Sequence, residues 1–584
     1  MPAHQPTTPW DWNGRLVPYP ADRARRYRQT GEWSSAPTGA RLHETAMRHG
    51  DRVALITADA TFTYRQLDER TDQVAAALAA LGLRRLDPVM FQVTNKAHAV
   101  IAWYGCLKAG LIPVATLAAH RAHEIGHISV KVGAVAHIVE AGLKFDLVSF
   151  ARDIAREHPT LRHVLTIEAL SATDGVTRIE DLGPEVDPVT ARALVESIEA
   201  QTDPCDVAVF QLSGGTTGVP KVIPRIHAEY WNNALFYAQA LGWTPETKVA
   251  HLIPLIHNAG ISCALHAAHA VGATLVVATP DAPSAFELMA RCEVTDALFG
   301  HGHYQAVQRP EFDKARRTLR RALLSGAKVS HDLFRRVDDG EHHWAGQLFG
   351  MSEGLFTVTP LDAPEVARRE TVGVPIAPSD EVRILDPSSE QEVPSGTVGE
   401  LCCRGPYTIP GYFDAADHNA TAFTSDGFYR TGDLASIREI DGRDYVCIEG
   451  RIKDVISRGG EKINAEEIEV LLLRNPRIAA AAVVAMPDLR LGERACAYLV
   501  AVDGTELPMG QVQAHLDSLG VAKYKWPERL QWTEALPLTN VGKIDKKRLR
   551  ADVAERLEAE AATSVERAVD SLGDRALIHG RHDA

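Results

Sequence analysis

At 584 residues the chain is too long for one compact core and implies roughly three or four domain-sized units. Hydrophobic residues make up 45% and charged residues 24%, an ordinary globular composition. Lys+Arg 62 against Asp+Glu 76 gives a net charge of −14, which argues against nucleic acid as the main partner but leaves room for small anions held locally. Cys106, Cys205, Cys263, Cys292, Cys402, Cys403, Cys447 and Cys496 form no CxxC pair, and adjacent Cys402 and Cys403 are badly placed to share a metal. A reduced cytoplasmic setting is therefore expected. The opening MPAHQPTTPWDWNG lacks a basic segment followed by an apolar core, so no secretory signal is expected, and no apolar run is long enough to span a membrane.

The tryptophans of PWDWNG are expected to pack an N-terminal arm. From about Thr38 to Gly450, helical patterns such as Tyr64 to Leu83 alternate with short β-branched runs. AVAHIVEA (134–141), VAVF (207–210) and TLVVAT (274–279) read as strands. This alternation predicts an α/β class: a large N-terminal domain of several subdomains with mainly parallel sheets. After Gly450 the texture changes. RIKDVISRGGEKINAEEIEVLLLRN reads as a strand, a glycine turn and an amphipathic helix, with Asn464 and Glu467 spaced as a capping box. Strand patterns at AAAVVAM and ACAYLVAV complete a small α+β unit over 451–550, and 551–584 reads as a surface helix fraying into a tail.

The densest local signal is VFQLSGGTTGVPK, Val209 to Lys221. Gly214, Gly215 and Gly218 let backbone N–H groups approach an anion, and Ser213, Thr216 and Thr217 add hydroxyl donors. Val-Pro separates Gly218 from Lys221, so this is not a Walker loop. In PLIHNAGISCALH (254–266) a histidine and an asparagine precede small residues, which reads either as capped polar groups or as a pocket floor. His301 and His303 in FGHGHYQ fall on one side of an extended segment, whereas His342-His343 reads as a surface loop.

The glycine turn resembles the phosphate loop of the adenylate-forming superfamily, which includes acyl-CoA synthetases, peptide-synthetase adenylation domains and luciferase relatives. FGMSEG (349–354), YRTGD (429–433), GRIKDVISRGGEKINAEEIE (450–469) and PLTNVGKIDKKRLR (537–550) continue the resemblance in order. It implies a mobile C-terminal domain and a reaction with ATP and Mg²⁺. Glu353 and Thr217 would serve the metal, and Gly326, Ala327, Gly350, Met351, Ser352, Asp433 and Arg451 the nucleotide. Lys543 would be the mobile catalytic cation beside Lys221 and His257, Lys453 the hinge, and Gly459 and Gly460 the lining of a thiol tunnel. Without the resemblance, Asp433 reads equally as a turn cap, and Lys543 as one charge in a solvated basic run.

KVIPRIHAEY, RGPYTIPGYF (404–413) and DGFYRTGDL are most similar to the stand-alone aryl acid–AMP ligases that activate salicylate or 2,3-dihydroxybenzoate for siderophore assembly. That branch implies an aryl carrier protein with a phosphopantetheine thiol as acceptor, with free CoA as the alternative. It places His257, Asn258, Ala259, Cys263, Leu348 and Phe356 around the acid. Asn258, where amino-acid-activating domains usually carry Asp, suits a neutral ortho group. Ala259 after it and Phe356 depart from the usual residues, as does Gly-His-Gly in FGHGHYQ. Lys523, Lys525 and the 543–550 run are candidates for meeting an acidic carrier.

Overall fold

A computed structural model describes residues 12, 14–169, 175–213, 220–326, 329–458, 461–488, 490–519, 521–539 and 543–560; the side chains of His301 and Lys462 lie outside it. The chain divides into two compact units, Met1–Thr431 with Ser436–Cys447, and Gly432–Ala435 with Ile448–Ala584. The first is large and α/β, the second small and α+β.

Two mainly parallel sheets build the first unit. In the nine-stranded sheet the parallel strands are Val53–Ile56, Thr274–Val277, Lys248–His251, Asp296–Gly300, Arg321–Ser325 and Trp344–Gly350, with antiparallel strands only toward its edges. The seven-stranded sheet carries Pro88–Val93, Ile112–Leu117, Ala136–Glu140 and Val207–Leu212, closed by antiparallel Val222–Ile226. All three strands expected from β-branched runs are present, with Thr274–Val277 stopping two residues short. Strands buried on both faces need no polar alternation, hence continuous runs such as PVMFQV. A further four-stranded sheet runs Glu381–Leu385, Gly399–Arg404, Tyr429–Ile440, Arg443–Arg451.

The expected helix from Tyr64 spans Tyr64–Ala80, started by a capping box in which Thr63 and Gln66 exchange hydrogen bonds. It packs on Ala97–Lys108, whose residues are almost all buried, including the side chain of Lys108. The Lys108 ammonium reaches Asp68 and Asp72, each at 2.6 Å. Burial would raise the Asp68 carboxyl, but Lys108 and His43 outweigh it and hold it down at about 2. Trp12 packs edge-on against Phe210 and Phe413, at 6.0 and 5.2 Å, as expected of an arm. No helix among the described residues is long and apolar enough to cross a membrane.

In the second unit Val455–Arg458 and Glu461–Asn464 pair antiparallel, while Gly492–Ala501 lies between Ile478–Asp488 and Arg529–Trp532. Asn464 caps the helix Ala465–Leu473 through the Glu466 N–H, but the reciprocal half of the box is missing because Glu467 pairs with Lys525. Near the C-terminus a helix runs through 546–560 without a break at Arg550. Leu549 and Val553 are buried against Tyr498, whose hydroxyl donates to the Leu549 carbonyl. Residues up to 560 thus have a packing face that the charged sequence did not reveal, and 561–584 lie outside the described residues.

Removing one member of a buried ion pair costs about 3–5 kcal/mol. Lys108→Met is therefore expected to lower the urea midpoint at pH 7 by that equivalent. In the wild type, Asp68 contributes stability above pH 3.8 that is lost as pH falls toward about 2. An unchanged midpoint in the variant would show that this cluster does not hold the two helices together.

Candidate active site

The strand Val207–Leu212 delivers Ser213 to one side of the glycine turn, and Lys221 stands at the other. The Ser213 N–H donates to the Lys221 carbonyl and the Lys221 N–H to Ser213 Oγ, both at 3.0 Å, so these two residues are tied together. Gly214, Gly215, Thr216, Thr217 and Gly218 lie outside the described residues. The Lys221 ammonium lies 5.8 Å from the centre of the Tyr412 ring.

The FGMSEG stretch leaves the strand Trp344–Gly350 and turns back into Phe356–Val358. Gly350 pairs with Phe356, and a Cβ at Gly350 would lie 2.4 Å from Phe356 Cδ1. Gly354 has φ +136°, and a Cβ there would fall 1.7 Å from the Tyr407 carbonyl oxygen. Both positions therefore demand glycine. Between them Glu353 is buried, with Oε1 accepting from the Tyr412 hydroxyl at 2.7 Å. The Tyr429 hydroxyl is 2.8 Å from that of Tyr412. Burial, with Glu353 and Tyr429 beside it, pushes the Tyr412 phenol far up, so it stays a donor. The Ser352 carbonyl accepts from Arg225 at 2.8 Å.

PLIHNAGISCALH folds as a short helical turn, Asn258–Gly260, followed by a π-helical turn, Ile261–Leu265, and then His266–Ala270. His257 caps the first turn through Nδ1, which accepts from the Ala259 N–H at 3.3 Å. Asn258 is buried. Its Oδ1 accepts from Tyr230 at 3.0 Å and Ser262 at 3.3 Å, and its Nδ2 donates to the Met351 carbonyl at 3.3 Å. Tyr230 in turn accepts from Gln211 at 2.9 Å. An amide has four hydrogen-bonding positions, so one Nδ2 hydrogen is without a partner among the described residues. Cys263, Leu348 and Phe356 are buried in one apolar cluster with Tyr237 and Ile256, and Ala259 packs against it. Asn258 is thus mostly satisfied by protein, as the reading of capped polar groups expects, with one Nδ2 donor left among the described residues.

Other expected residues fall nearby or apart. Gly326, at φ +92°, follows the strand Arg321–Ser325, whereas Ala327 lies outside the described residues. Burial lowers the affinity of the His303 imidazole for a proton, opposed by the Gly300 backbone, and its Nδ1 has no geometric hydrogen bond among the described residues. His342 and His343 sit in a loop whose N–H groups converge on Asp339 Oδ1, a surface turn as read.

Within the second unit, Arg451 Nε lies 3.0 Å from Asp433 Oδ1. Burial pushes the Asp433 carboxyl up, and Arg451, Lys543 and Lys453 oppose this. Burial also pulls the Lys453 ammonium down, as does Arg451. Lys543 lies beside a bridge between Leu538 and Ile544, with its N–H donating to Thr539 Oγ1. Gly459 and Gly460 lie outside the described residues. Lys525, Lys546 and Arg550, expected to be available to an acidic partner, form ion pairs with Glu467, Glu469 and Asp454 inside the unit. Lys523 and the exposed Lys543, Lys547 and Arg548 are the remaining members of that group.

The sequence reading overlooked Tyr412, Tyr230, Gln211 and the pair Arg225–Glu229. An Arg and a Glu four apart in the otherwise apolar VIPRIHAEYW was the available signal. Both side chains are fully buried in a two-pronged pair with contacts of 2.7 Å. Burial alone would lower Arg225, but Glu229 outweighs it and keeps the guanidinium charged.

A family model described as AMP-binding enzyme matches residues 42–413, and one described as AMP-binding enzyme C-terminal domain matches 467–543. A Streptomyces protein named salicylyl-CoA synthase / salicylate adenylyltransferase is 39% identical over 94% of this chain and 99% of its own length. The 2,3-dihydroxybenzoate-AMP ligase of Bacillus subtilis is 36% identical over 93% of this chain and 98% of its own. Among solved structures, apo MbtA of Mycobacterium smegmatis superposes with a TM-score of 0.69 at 36% identity, covering 92% of this chain and 98% of that one. With matches of this extent over both units, the chain belongs to the AMP-binding enzyme family.

Proposed function

We propose that this enzyme adenylates an aryl carboxylic acid carrying an ortho hydroxyl or ring nitrogen. It then transfers the acyl group to the phosphopantetheine thiol of an aryl carrier protein, in siderophore or other nonribosomal peptide biosynthesis. The observation that carries the reading is Asn258: a buried amide, three of whose bonds go to protein, beside an apolar cluster suited to a flat ring. The names of the Streptomyces and Bacillus relatives support the same class of acid.

In the first step a carboxylate oxygen attacks the α-phosphorus of ATP and the bond to pyrophosphate breaks. Ser213, Lys221 and the glycine turn would hold the phosphates, Asp433 the ribose, and Lys543 the charge that develops between carboxylate and phosphate. Glu353 fits Mg²⁺: it is a hard carboxylate ligand already oriented by a tyrosine hydroxyl, and Mg²⁺ uses few protein ligands. Bound there, Mg²⁺ would neutralise charge on the departing pyrophosphate. Thr217, its proposed partner, lies outside the described residues. In the second step the thiol sulfur attacks the acyl carbon and AMP leaves, with Lys453 as the proposed pivot. Eight free cysteines support a reducing cytoplasmic setting. Free CoA is the second reading, favoured by the double name of the Streptomyces relative.

Acid-dependent ATP–pyrophosphate exchange is expected with salicylate, 2,3-dihydroxybenzoate or 3-hydroxypicolinate and not with amino or fatty acids. Exchange with none of the aryl acids would sink the assignment, and equal transfer rates to CoA and to a carrier would favour the second reading. Lys543→Ala should slow exchange by about 10²–10³-fold, the scale of losing one preorganised charge partner. A rate within twofold of wild type would remove Lys543 from the chemistry. Asn258→Asp sets a carboxylate oxygen against the Met351 carbonyl and next to the acid, so a loss of about 100-fold with 2-hydroxy acids is expected. Undiminished exchange would take Asn258 out of the pocket.

A further inference from the structure

Four consecutive carbonyls of the Glu353 loop are each held by a donor from another part of the first unit. The Met351 carbonyl accepts from Asn258 at 3.3 Å, and that of Ser352 from Arg225 Nη1 at 2.8 Å. The Glu353 carbonyl accepts from the Ile409 N–H at 2.9 Å, and that of Gly354 from Asn233 Nδ2 at 3.4 Å. Arg225 Nη2 also reaches the Tyr407 carbonyl at 3.4 Å, the atom that a Cβ at Gly354 would strike. One guanidinium therefore grips the loop and the strip of chain behind it.

Stability alone does not account for Arg225. A buried ion pair is often no better for folding than apolar residues of equal volume. Its geometry does account for it. Nε and Nη2 bind the two oxygens of Glu229, which fixes the guanidinium plane, and Nη1 then points at Ser352. Lysine offers no such planar fork.

We propose that Arg225, oriented by Glu229, is a positioning residue that sets the backbone of Ser352 and thereby the place of the Glu353 carboxylate toward a divalent cation. The inference rests on the proposed role of Glu353 at Mg²⁺. Supporting groups around a metal ligand typically alter metal affinity by about 10–100-fold when removed.

The test titrates Mg²⁺ at fixed nucleotide in the full-length wild type, Glu353→Gln, Arg225→Lys, Arg225→Met and Asn233→Leu. It reads pyrophosphate exchange with the best aryl acid and, without turnover, Mg²⁺-dependent binding of a non-hydrolysable ATP analogue by calorimetry, the two curves being expected to shift together. Folding is checked by thermal midpoint. Folded Arg225 variants are expected to need about tenfold more Mg²⁺ for half-maximal exchange, with KM for the aryl acid within about twofold. Asn233→Leu removes the donor to Gly354 without touching the ion pair. It should raise the Mg²⁺ requirement several-fold, and it decides the matter if the Arg225 variants do not fold. An unchanged Mg²⁺ requirement in folded Arg225 variants, or in Asn233→Leu if those are lost, overturns the inference when Glu353→Gln still raises it. An unchanged requirement in Glu353→Gln overturns the metal assignment of Glu353, and the inference with it.

Discussion

Asn258 must find partners once it is buried, and the partners it finds tie together four distant stretches of the first unit. Gln211 lies near the end of the strand Val207–Leu212, Tyr230 lies on the helix His227–Ala240, Asn258 opens the helical turn after His257, and Met351 belongs to the Glu353 loop. Each unmade bond in such a line would cost about 1–3 kcal/mol. The glycine-turn strand, the Asn258 turn and the Glu353 loop therefore share one frame. A shift in any of the four stretches leaves a buried polar group unsatisfied in another.

The two units handle charge differently. The first buries ion pairs completely, at Lys108 with Asp68 and Asp72 and at Arg225 with Glu229. Such pairs are rigid and suit backbone placement. In the second unit, cations gather beside the Asp433 carboxyl, where burial and neighbouring charge oppose one another. Lys543 itself is exposed and comes from a short bridged turn. A cation that must meet a substrate gains from a compact, flexible stem, whereas one that must hold a backbone gains from a planar fork.

Local pattern carried much of the architecture. Alternating helical and β-branched segments foretold parallel sheets, because strands covered on both faces need no polar residues. The resemblance of whole motifs, more than the chemistry of single residues, marked Glu353, Asp433, Asn258 and Lys543 as candidates. Contacts made over long separations were not legible. Tyr412 meets Glu353 across 59 positions, and Arg225 meets Ser352 across 127. Nothing in a local window says which carbonyl a buried arginine will face. The helix from Ala551 was expected but its packing face was not: Leu549, Val553 and Leu557 recur every four residues among charges, and only the face of Tyr498 shows what they cover.

The π-helical turn Ile261–Leu265 holds one residue more than an α-helix of the same rise would accommodate. A π-turn takes up its additional residue locally, so the helical segments on either side keep nearly the phase of an unbroken helix. Deleting one residue there would return the segment to regular pitch and leave Asn258 and His266 in almost the same relation, whereas the same deletion in an α-helix turns the flanks by roughly 100°. The segment is thus a place where the chain can shorten by one residue without re-aiming the side chains on either side.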